Sequence, residues 1–259
     1  MVNAQDLIEI CNSAGSKIMD IYNSAEMQVE YKSDNSPLTL ADKESNKIIC
    51  DSLKSKYPGI PILSEEGAQI NYKERKKWTK FWLIDPIDGT KEFIKKNGEF
   101  TVNIALIEHY EPIIGIVYAP YLDKYWFGSE KEGAFKLENG LKEKIKVNNK
   151  HKSTIKVVAS RSHKSPKLDS FLSNFDNYEL VSMGSSIKIC LVAEGAADIY
   201  PRLAPTMEWD TAAAHAVLKY ANGSLIDTNT NQEMRYNREN LKNSYFIANS
   251  NVNIEGIII

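Results

Sequence analysis

The hydrophobic pattern of the chain changes near residue 150, and this change limits the possible folds more than any other feature of the sequence. Before it, short apolar runs separated by Glu-Pro and Ala-Pro breaks predict consecutive antiparallel strands, at residues 101–108, 112–119 and 124–128. After it, strands alternate with helices, which favours a sheet covered by helices. The predicted segments are 154–159, 165–174, 179–182, 185–196, 208–220 and strands near 224 and 245.

Two amphipathic helices are predicted before the first strands. Apolar residues recur at helical spacing over residues 4–24 and 40–56, and Tyr57-Pro58-Gly59 ends the second helix. Gly133 to Gly140 predicts a further hairpin. We therefore predict an α/β protein that packs as one unit over residues 1–259. Its α+β half would span residues 1–150 and its α/β half residues 151–259.

Composition excludes several classes of protein. A chain of 259 residues with 42% hydrophobic residues can bury a large core, and its net charge of -2 provides no basic field for nucleic acid. No apolar run approaches the roughly 20 residues of a membrane span, and the first residues do not resemble a signal peptide. Cys11, Cys50 and Cys190 form no C-x-x-C pair, so we expect reduced thiols in a cytoplasmic protein. Peripheral contact with the inner membrane stays open.

Two apolar runs end in clusters of acids. One ends in Ser64-Glu65-Glu66 and the other in Asp85-Pro86-Ile87-Asp88. Desolvating several carboxylates together is costly, and a divalent cation such as Mg²⁺, which prefers oxygen ligands, removes that cost. Pro86 can bend the chain so that Asp85, Asp88 and the Ile87 carbonyl point at one place. An ordinary turn explains this string alone equally well.

The residues after this acidic turn suit a phosphate. Gly89 permits close approach of the backbone, and Thr90 begins a segment that can form a helix, whose first amides favour an anion. Asp210 opens an alanine-rich helical segment. Taken alone, Asp210 is best interpreted as a helix N-cap, although capping and metal ligation do not exclude each other.

Seven motifs in a fixed order carry a family resemblance across roughly residues 36–221. They are Ser36 to Asp42, Leu63 to Glu66, Trp82 to Phe93, Ala159 to His163, Gly184 to Lys188, Ala193 to Arg202 and Trp209 to Ala213. With these motifs the chain resembles the inositol monophosphatase superfamily. The Lys91-Glu92-Phe93, Ala-Ser-Arg-Ser-His and Gly-Ser-Ser-x-Lys segments are similar to its bacterial 3'(2'),5'-bisphosphate nucleotidase branch. The resemblance implies a layered α-β-α-β-α sandwich, in which residues 1–150 would carry the metal site and residues 151–259 would select the substrate.

The resemblance also implies roles for the acidic residues. Glu65, Asp85 and the Ile87 carbonyl would hold one Mg²⁺, while Asp85, Asp88 and Asp210 would hold a second. The family pattern selects Glu65 over Glu66, between which spacing does not discriminate. Asp42 and Thr90 would orient and deprotonate the attacking water. Occupancy of a third metal position stays open.

Cationic and hydroxyl groups in the second half are candidates for substrate binding. Lys188 and Arg202 are predicted to anchor a second phosphate, with hydrogen bonds from Ser160, His163 and Ser185. Arg202 could instead pair with a structural acid, and Ser185 could cap a helix. The predicted substrate site also includes residues of the acidic motifs, namely Glu65, Ile87, Asp88, Gly89, Thr90 and Asp210. His109, His151 and His215 lack such context and are interpreted as surface or packing residues.

The expected activity is magnesium-dependent hydrolysis of adenosine 3',5'-bisphosphate to AMP and phosphate. An inositol or sugar monophosphatase with the same metal site is the alternative, and a non-catalytic nucleotide-binding module is a third. The expected partner is a small molecule rather than nucleic acid, and the protein could be a monomer or a homodimer. The segment before Trp209, Leu203 to Glu208, departs from the Phe-Gly-Pro-Thr type expected there, which would alter the wall of the substrate pocket.

Overall fold

The computed structural model describes residues 2–24, 29–31, 37–67, 69–150, 153–159 and 166–254. Both predicted N-terminal helices are present, as α1 (Ala4–Asn23) and α2 (Leu40–Lys56). A short antiparallel hairpin, β1 (Val29–Tyr31) and β2 (Pro37–Thr39), stands between them and was not predicted. The apolar stripe of α1 is buried, as its helical spacing requires.

A seven-stranded sheet forms the first half, and its strands follow one another in chain order. All of its pairs are antiparallel except the first, between β3 and β4. The predicted strands and the predicted hairpin are therefore confirmed. The strands are β3 (Ile62–Ser64), β4 (Lys80–Asp88), β5 (Thr101–Glu108), β6 (Glu111–Ala119), β7 (Lys124–Ser129), β8 (Gly133–Glu138) and β9 (Leu141–Lys144), with short helices α3 (Tyr72–Arg75) and α4 (Thr90–Ile94) between them.

The described part of the second half contains a six-stranded mixed sheet and three helices. Its elements are β10 (Ile155–Ala159), α5 (Pro166–Leu172), β11 (Tyr178–Ser182), α6 (Ile187–Ala193), β12 (Ile199–Arg202), α7 (Glu208–Tyr220), β13 (Ser224–Asp227), β14 (Gln232–Glu233) and β15 (Phe246–Asn249). The strand order in the sheet is β11-β10-β12-β15-β13-β14. Its helices α5 and α7 match the predicted segments, but the helix expected over residues 185–196 is shorter, because Gly195 has a φ of +74° that ends helical geometry. The strand β12 was not predicted.

These elements stack in five layers, which confirms the predicted α-β-α-β-α sandwich. Alternate residues of β4 face opposite cores: Trp82 packs in the core that contains α1 and α2, and Leu83 packs in the core that contains α6 and α7. The helix α5 covers the outer face of the second sheet through Leu168 and Phe171. Within the described chain all three cysteines are free thiols, and Cys11 and Cys190 are buried, as predicted.

The helix α7 lies directly on the first sheet because the sheet offers glycines where the helix crosses it. Gly115 on β6 is paired with Gly128 on β7. A Cβ added at Gly115 would lie 2.2 Å from the carbonyl oxygen of Ala213, and one at Gly128 would lie 2.6 Å from the Cα of Val217. The backbone of α7, whose first turn carries Asp210, is therefore held against the sheet by close contact.

We expect Gly115→Ala to destabilise the fold by about 3 kcal/mol or more, because the new methyl group overlaps backbone that cannot move without lifting α7. Chemical denaturation would measure the loss. Gly133→Ala is the matched control. Its φ of +71° strains alanine, but nothing lies within 4 Å of the added atom, so we expect about 1 kcal/mol. Equal losses in the two variants would contradict close packing at Gly115.

Candidate active site

The parallel pairing of β3 with β4 brings the first two acidic clusters together. Ser64 is in register with Ile84, and the Glu65 N–H donates to the Ile84 carbonyl at 3.1 Å. The next residue along each strand is therefore an acid, Glu65 on one side and Asp85 on the other. Because β3 and β4 are parallel, the segments that follow them leave the sheet at the same edge.

The predicted turn after Ile84 is wrong in one respect, because β4 continues as a strand to Asp88. The bend is instead a bulge. Asp85 pairs with Asn103 and Asp88 with Thr101, so three steps along β4 match two along β5. Pro86 lies within the bulge, between Asp85 and Asp88. Proline lacks the N–H that strand pairing requires, so a bulge is a position where a strand tolerates it. The Ile87 N–H donates to Asp85 Oδ1 at 3.0 Å and fixes that carboxylate.

Asp210 reaches the same place from the second half of the chain. It is the third residue of α7, whose N-cap is Met207, so its interpretation as the N-cap is wrong. The Met207 N–H donates to Asp210 Oδ2 at 2.9 Å. One carboxylate oxygen thus satisfies an amide at the start of the helix, which leaves Oδ1 for another contact.

Three of the predicted ligand residues form a compact group. Glu65, Asp85 and Asp210 each offer a carboxylate oxygen, and these oxygens lie within 4.8 Å of one another. Burial, followed by repulsion from Glu65 and Asp88, raises the pKa of Asp85 well above its usual value. Burial and the Asp88 charge likewise raise the pKa of Asp210. An all-oxygen set of crowded carboxylates fits a hard divalent cation such as Mg²⁺.

Asp88 is held beside this group by a different contact. Its Oδ2 accepts the backbone N–H of Ser186 at 2.5 Å. Burial raises the pKa of Asp88 to about 6, although the Lys188 charge and the Ser186 amide both lower it. Asp88 therefore connects the end of β4 to the start of α6.

Asp42 and Thr90 stand together next to the acidic bulge. Asp42 lies in the first turn of α2, and its Oδ2 accepts the Thr39 N–H at 2.7 Å and the Thr39 hydroxyl at 2.5 Å. The Thr90 hydroxyl lies 3.4 Å from Asp42 Oδ1 and 3.4 Å from the Ile87 carbonyl. Asp42 is thus a capping residue of α2 as well as the neighbour of Thr90.

A cavity of about 500 Å³ opens beside two of the carboxylates. Asp88 and Asp210 line it, and so do Ser185, Lys188 and Arg202 from the second half of the chain. Its outer wall includes part of the segment that departs from the family pattern, namely Ala204, Pro205 and Thr206. The cavity therefore combines acidic and basic groups in one space.

The two cations differ in their surroundings. Lys188 is buried, which lowers its pKa to about 8 even though Asp88 opposes that shift. Arg202 Nη2 donates to the Pro205 carbonyl at 3.1 Å, and its buried Nε has no hydrogen-bond partner in the described part of the chain. Arg202 makes no ion pair with a described acid, so the interpretation as a structural ion pair gains no support there.

The glycine at the start of α4 has a steric reason. Gly89 is the N-cap of this helix with a φ of +93°, and a Cβ there would lie 3.0 Å from the Glu99 carbonyl oxygen. Any other residue would be strained and crowded. Gly89 lines the cavity, so the chain passes close to the carboxylates without a side chain in the way.

Other predicted residues have mixed outcomes. Ser160 and His163 lie outside the described residues. Ser185 lines the cavity, and its Oγ accepts the Ile187 N–H at 3.5 Å, although the N-cap position of α6 is Ser186. His215 is fully buried, and its ring nitrogens lie 2.8 Å from the Tyr236 hydroxyl and 2.7 Å from Glu233 Oε1, so it is a hydrogen-bonded packing residue.

Three buried polar residues next to the site were not predicted: Thr101, Asn103 and Ser186. The first two sit on β5 opposite Asp88 and Asp85. Polar side chains inside an otherwise apolar strand were a signal that could have drawn attention to them, since buried polar groups need partners.

Comparisons with known proteins agree with this fold. The family model for the inositol monophosphatase family matches residues 4–258. The chain therefore belongs to the inositol monophosphatase family, as its motifs predicted. It is similar to the 3'(2'),5'-bisphosphate nucleotidase CysQ of Escherichia coli O157:H7, with 46% identity over 85% of this chain and 88% of that protein. It is also similar to CysQ of Buchnera aphidicola, with 43% identity over 94% of this chain and 92% of that protein.

A solved structure confirms the architecture. The crystal structure of CysQ from Bacteroides thetaiotaomicron, a bacterial member of the inositol monophosphatase family, has a TM-score of 0.85 and 40% identity, covering 97% of this chain and 98% of that one. The predicted resemblance to the bisphosphate nucleotidase branch is thereby confirmed. Among the helices in the described ranges, none has the length and apolarity to cross a bilayer.

Proposed function

We propose that this chain is a magnesium-dependent 3'(2'),5'-bisphosphate nucleotidase that converts adenosine 3',5'-bisphosphate to AMP and phosphate. The observation that carries the proposal is that Asp88 and Asp210 share one cavity with Lys188 and Arg202. The carboxylates suit divalent cations beside a phosphate to be cleaved, and the cationic groups of the same cavity suit a second phosphate. The named relatives support the same activity.

Two or three Mg²⁺ ions would be held by Glu65, Asp85, the Ile87 carbonyl, Asp88 and Asp210. When bound, the ions supply charge neutralisation at the phosphoryl and leaving oxygens and lower the pKa of water at the site. The protein contributes the fixed directions of its carboxylates. Asp85 is held by the Ile87 N–H, Asp88 by the Ser186 N–H and Asp210 by the Met207 N–H.

Thr90 and Asp42 receive the proton that the attacking water loses. The Thr90 hydroxyl donates to Asp42 Oδ1, so its lone pairs are available to accept a hydrogen bond from the water. As the water attacks, Thr90 Oγ1 takes one proton and passes its own to Asp42 Oδ1. The other carboxylate oxygen of Asp42 is occupied by Thr39, which keeps the acceptor turned toward Thr90.

Lys188 is expected to contribute mainly to substrate affinity. Lys188→Met keeps the length of the buried side chain and removes its charge, so we expect KM for the bisphosphate to rise roughly 10- to 100-fold with a smaller change in kcat. Steady-state kinetics would measure both constants. Lys219→Met is the control, since Lys219 pairs with Glu111 and does not line the cavity. An unchanged KM in Lys188→Met would contradict the anchoring role.

Phosphate release from a small panel of substrates tests the function itself. We expect kcat/KM to be highest for adenosine 3',5'-bisphosphate, lower for inositol 1-phosphate, and negligible for either when a chelator replaces Mg²⁺. A preference for inositol 1-phosphate would instead identify an inositol phosphatase. Nucleotide binding without magnesium-dependent phosphate release would identify a non-catalytic module.

A further inference from the structure

A chain of buried hydroxyl and amide groups lies directly behind the carboxylates. The Ser186 hydroxyl is 2.8 Å from Thr101 Oγ1 and 2.8 Å from Asn103 Oδ1. All three residues are buried, with exposed fractions of 0% for Thr101, 1% for Asn103 and 4% for Ser186. Buried hydrogen bonds of this kind are strong and specific because water does not compete for them.

The direction of these hydrogen bonds follows from counting protons. Ser186 has one hydroxyl proton, which it donates to Asn103 Oδ1. The Thr101 hydroxyl must then be the donor to Ser186 Oγ. This arrangement, from Thr101 to Ser186 to Asn103, fixes the Asn103 amide with its oxygen toward Ser186. The Asn103 Nδ2 is buried and has no partner among the described residues.

The register of β4 and β5 places these hydrogen-bonded side chains next to the proposed metal ligands. Asn103 is paired with Asp85, and Thr101 with Asp88. Directly paired residues project from the same face of a sheet, with Cβ atoms about 5 Å apart. The unpaired Asn103 amide therefore lies on the face that carries the Asp85 carboxylate.

Ser186 also connects two parts of the cavity. Its backbone N–H holds Asp88, and it is the N-cap of α6, which carries Lys188 in its first turn. Its side chain is tied to β5 at two points, so the start of α6 cannot shift without breaking buried hydrogen bonds. A displacement of α6 would therefore move two groups at once: Lys188 and the Ser186 amide that holds Asp88.

We propose that Ser186, fixed by Thr101 and Asn103, is a positioning residue that aligns Asp88 for metal binding and couples that binding to anion binding at Lys188. This inference rests on the proposed function for the identity of the metal and the anion. It predicts that Mg²⁺ and phosphate each increase the affinity for the other, because Ser186 holds Asp88 and the start of α6 in fixed positions.

Calorimetric titration of the full chain with Mg²⁺, alone and with inorganic phosphate present, tests the proposal. We expect Ser186→Ala to bind Mg²⁺ about 10-fold more weakly than the unchanged protein and to lose most of the enhancement by phosphate. Ser186→Thr, which keeps the hydroxyl, should restore both. A Ser186→Ala variant with the metal affinity and phosphate enhancement of the unchanged protein would overturn the proposal.

A second pair of variants covers the case in which Ser186→Ala does not fold. Thr101→Val is nearly isosteric and removes only the donor to Ser186, whereas Thr101→Ser keeps it. We expect weaker Mg²⁺ binding in the valine variant than in the serine variant. Equal affinities would overturn the proposal. Both titrations measure binding of Mg²⁺ and inorganic phosphate, and neither needs hydrolysis of the bisphosphate. A failure of the proposed function, seen as absent hydrolysis, is therefore distinguishable from a failure of this inference.

Discussion

Asp85→Asn is expected to abolish magnesium binding and to lower phosphate release by on the order of a thousandfold or more, because several kcal/mol of charge stabilisation depend on the ions. The same change should stabilise the metal-free protein. Burial, together with repulsion from Glu65, Asp88 and Asp210, raises the pKa of Asp85, so its charge opposes folding when no cation is present. The neutral amide keeps the oxygen that accepts the Ile87 N–H.

Two measurements separate these opposite effects. Calorimetric titration gives the Mg²⁺ affinity, and thermal unfolding with and without Mg²⁺ gives the stability of each form. Glu66→Gln is the matched control. It removes the same charge from the residue next to Glu65, which is outside the compact carboxylate group. Unchanged magnesium affinity in Asp85→Asn would exclude Asp85 as a ligand.

Thr90→Val is expected to lower kcat by about 100- to 1,000-fold while leaving Mg²⁺ affinity nearly unchanged. Valine fills the same space but cannot carry a proton between the water and Asp42 Oδ1. Thr90 is a better target than Asp42, because Asp42 also caps α2 and its loss would combine effects on turnover and on folding.

Thr90→Ser supplies the control for this experiment. It keeps the hydroxyl and loses only a methyl group, so most of the turnover should return. The titration used for Asp85→Asn measures the metal affinity of both variants. If Thr90→Val lost Mg²⁺ binding along with turnover, the residue would belong to the metal site rather than to the transfer of the proton.

Local patterns predicted most of the fold. The antiparallel strands of the first sheet follow from short apolar runs with prolines at the breaks, and α1 follows from an apolar stripe at helical spacing. The strand β12 was missed because Ile199 to Arg202 is only four residues long and contains a proline. It is a strand because it is hydrogen-bonded between β10 and β15, partners that are distant in sequence.

The acidic motif of β4 illustrates a limit of local reasoning. The sequence suggested a turn after Ile84, since proline and glycine follow within a few residues. In the structure the strand continues to Asp88, because β5 supplies hydrogen bonds on either side of a bulge that accommodates Pro86. The bulge aims the carboxylates, but it exists only when the two strands are paired.

What the sequence determined by itself is the set of chemical groups and their family. Acids at the ends of two apolar runs, together with seven motifs in order, predicted a phosphatase of the inositol monophosphatase family. Tertiary structure decided how these groups are brought together. The parallel register of β3 and β4 places Glu65 beside Asp85, because Glu65 directly follows Ser64, the last paired residue of β3, and the compact carboxylate group contains Glu65 rather than Glu66. Contacts between residues 83 to 98 positions apart place Ser186 against Asn103 and Asp88, and these depend on packing rather than on local pattern.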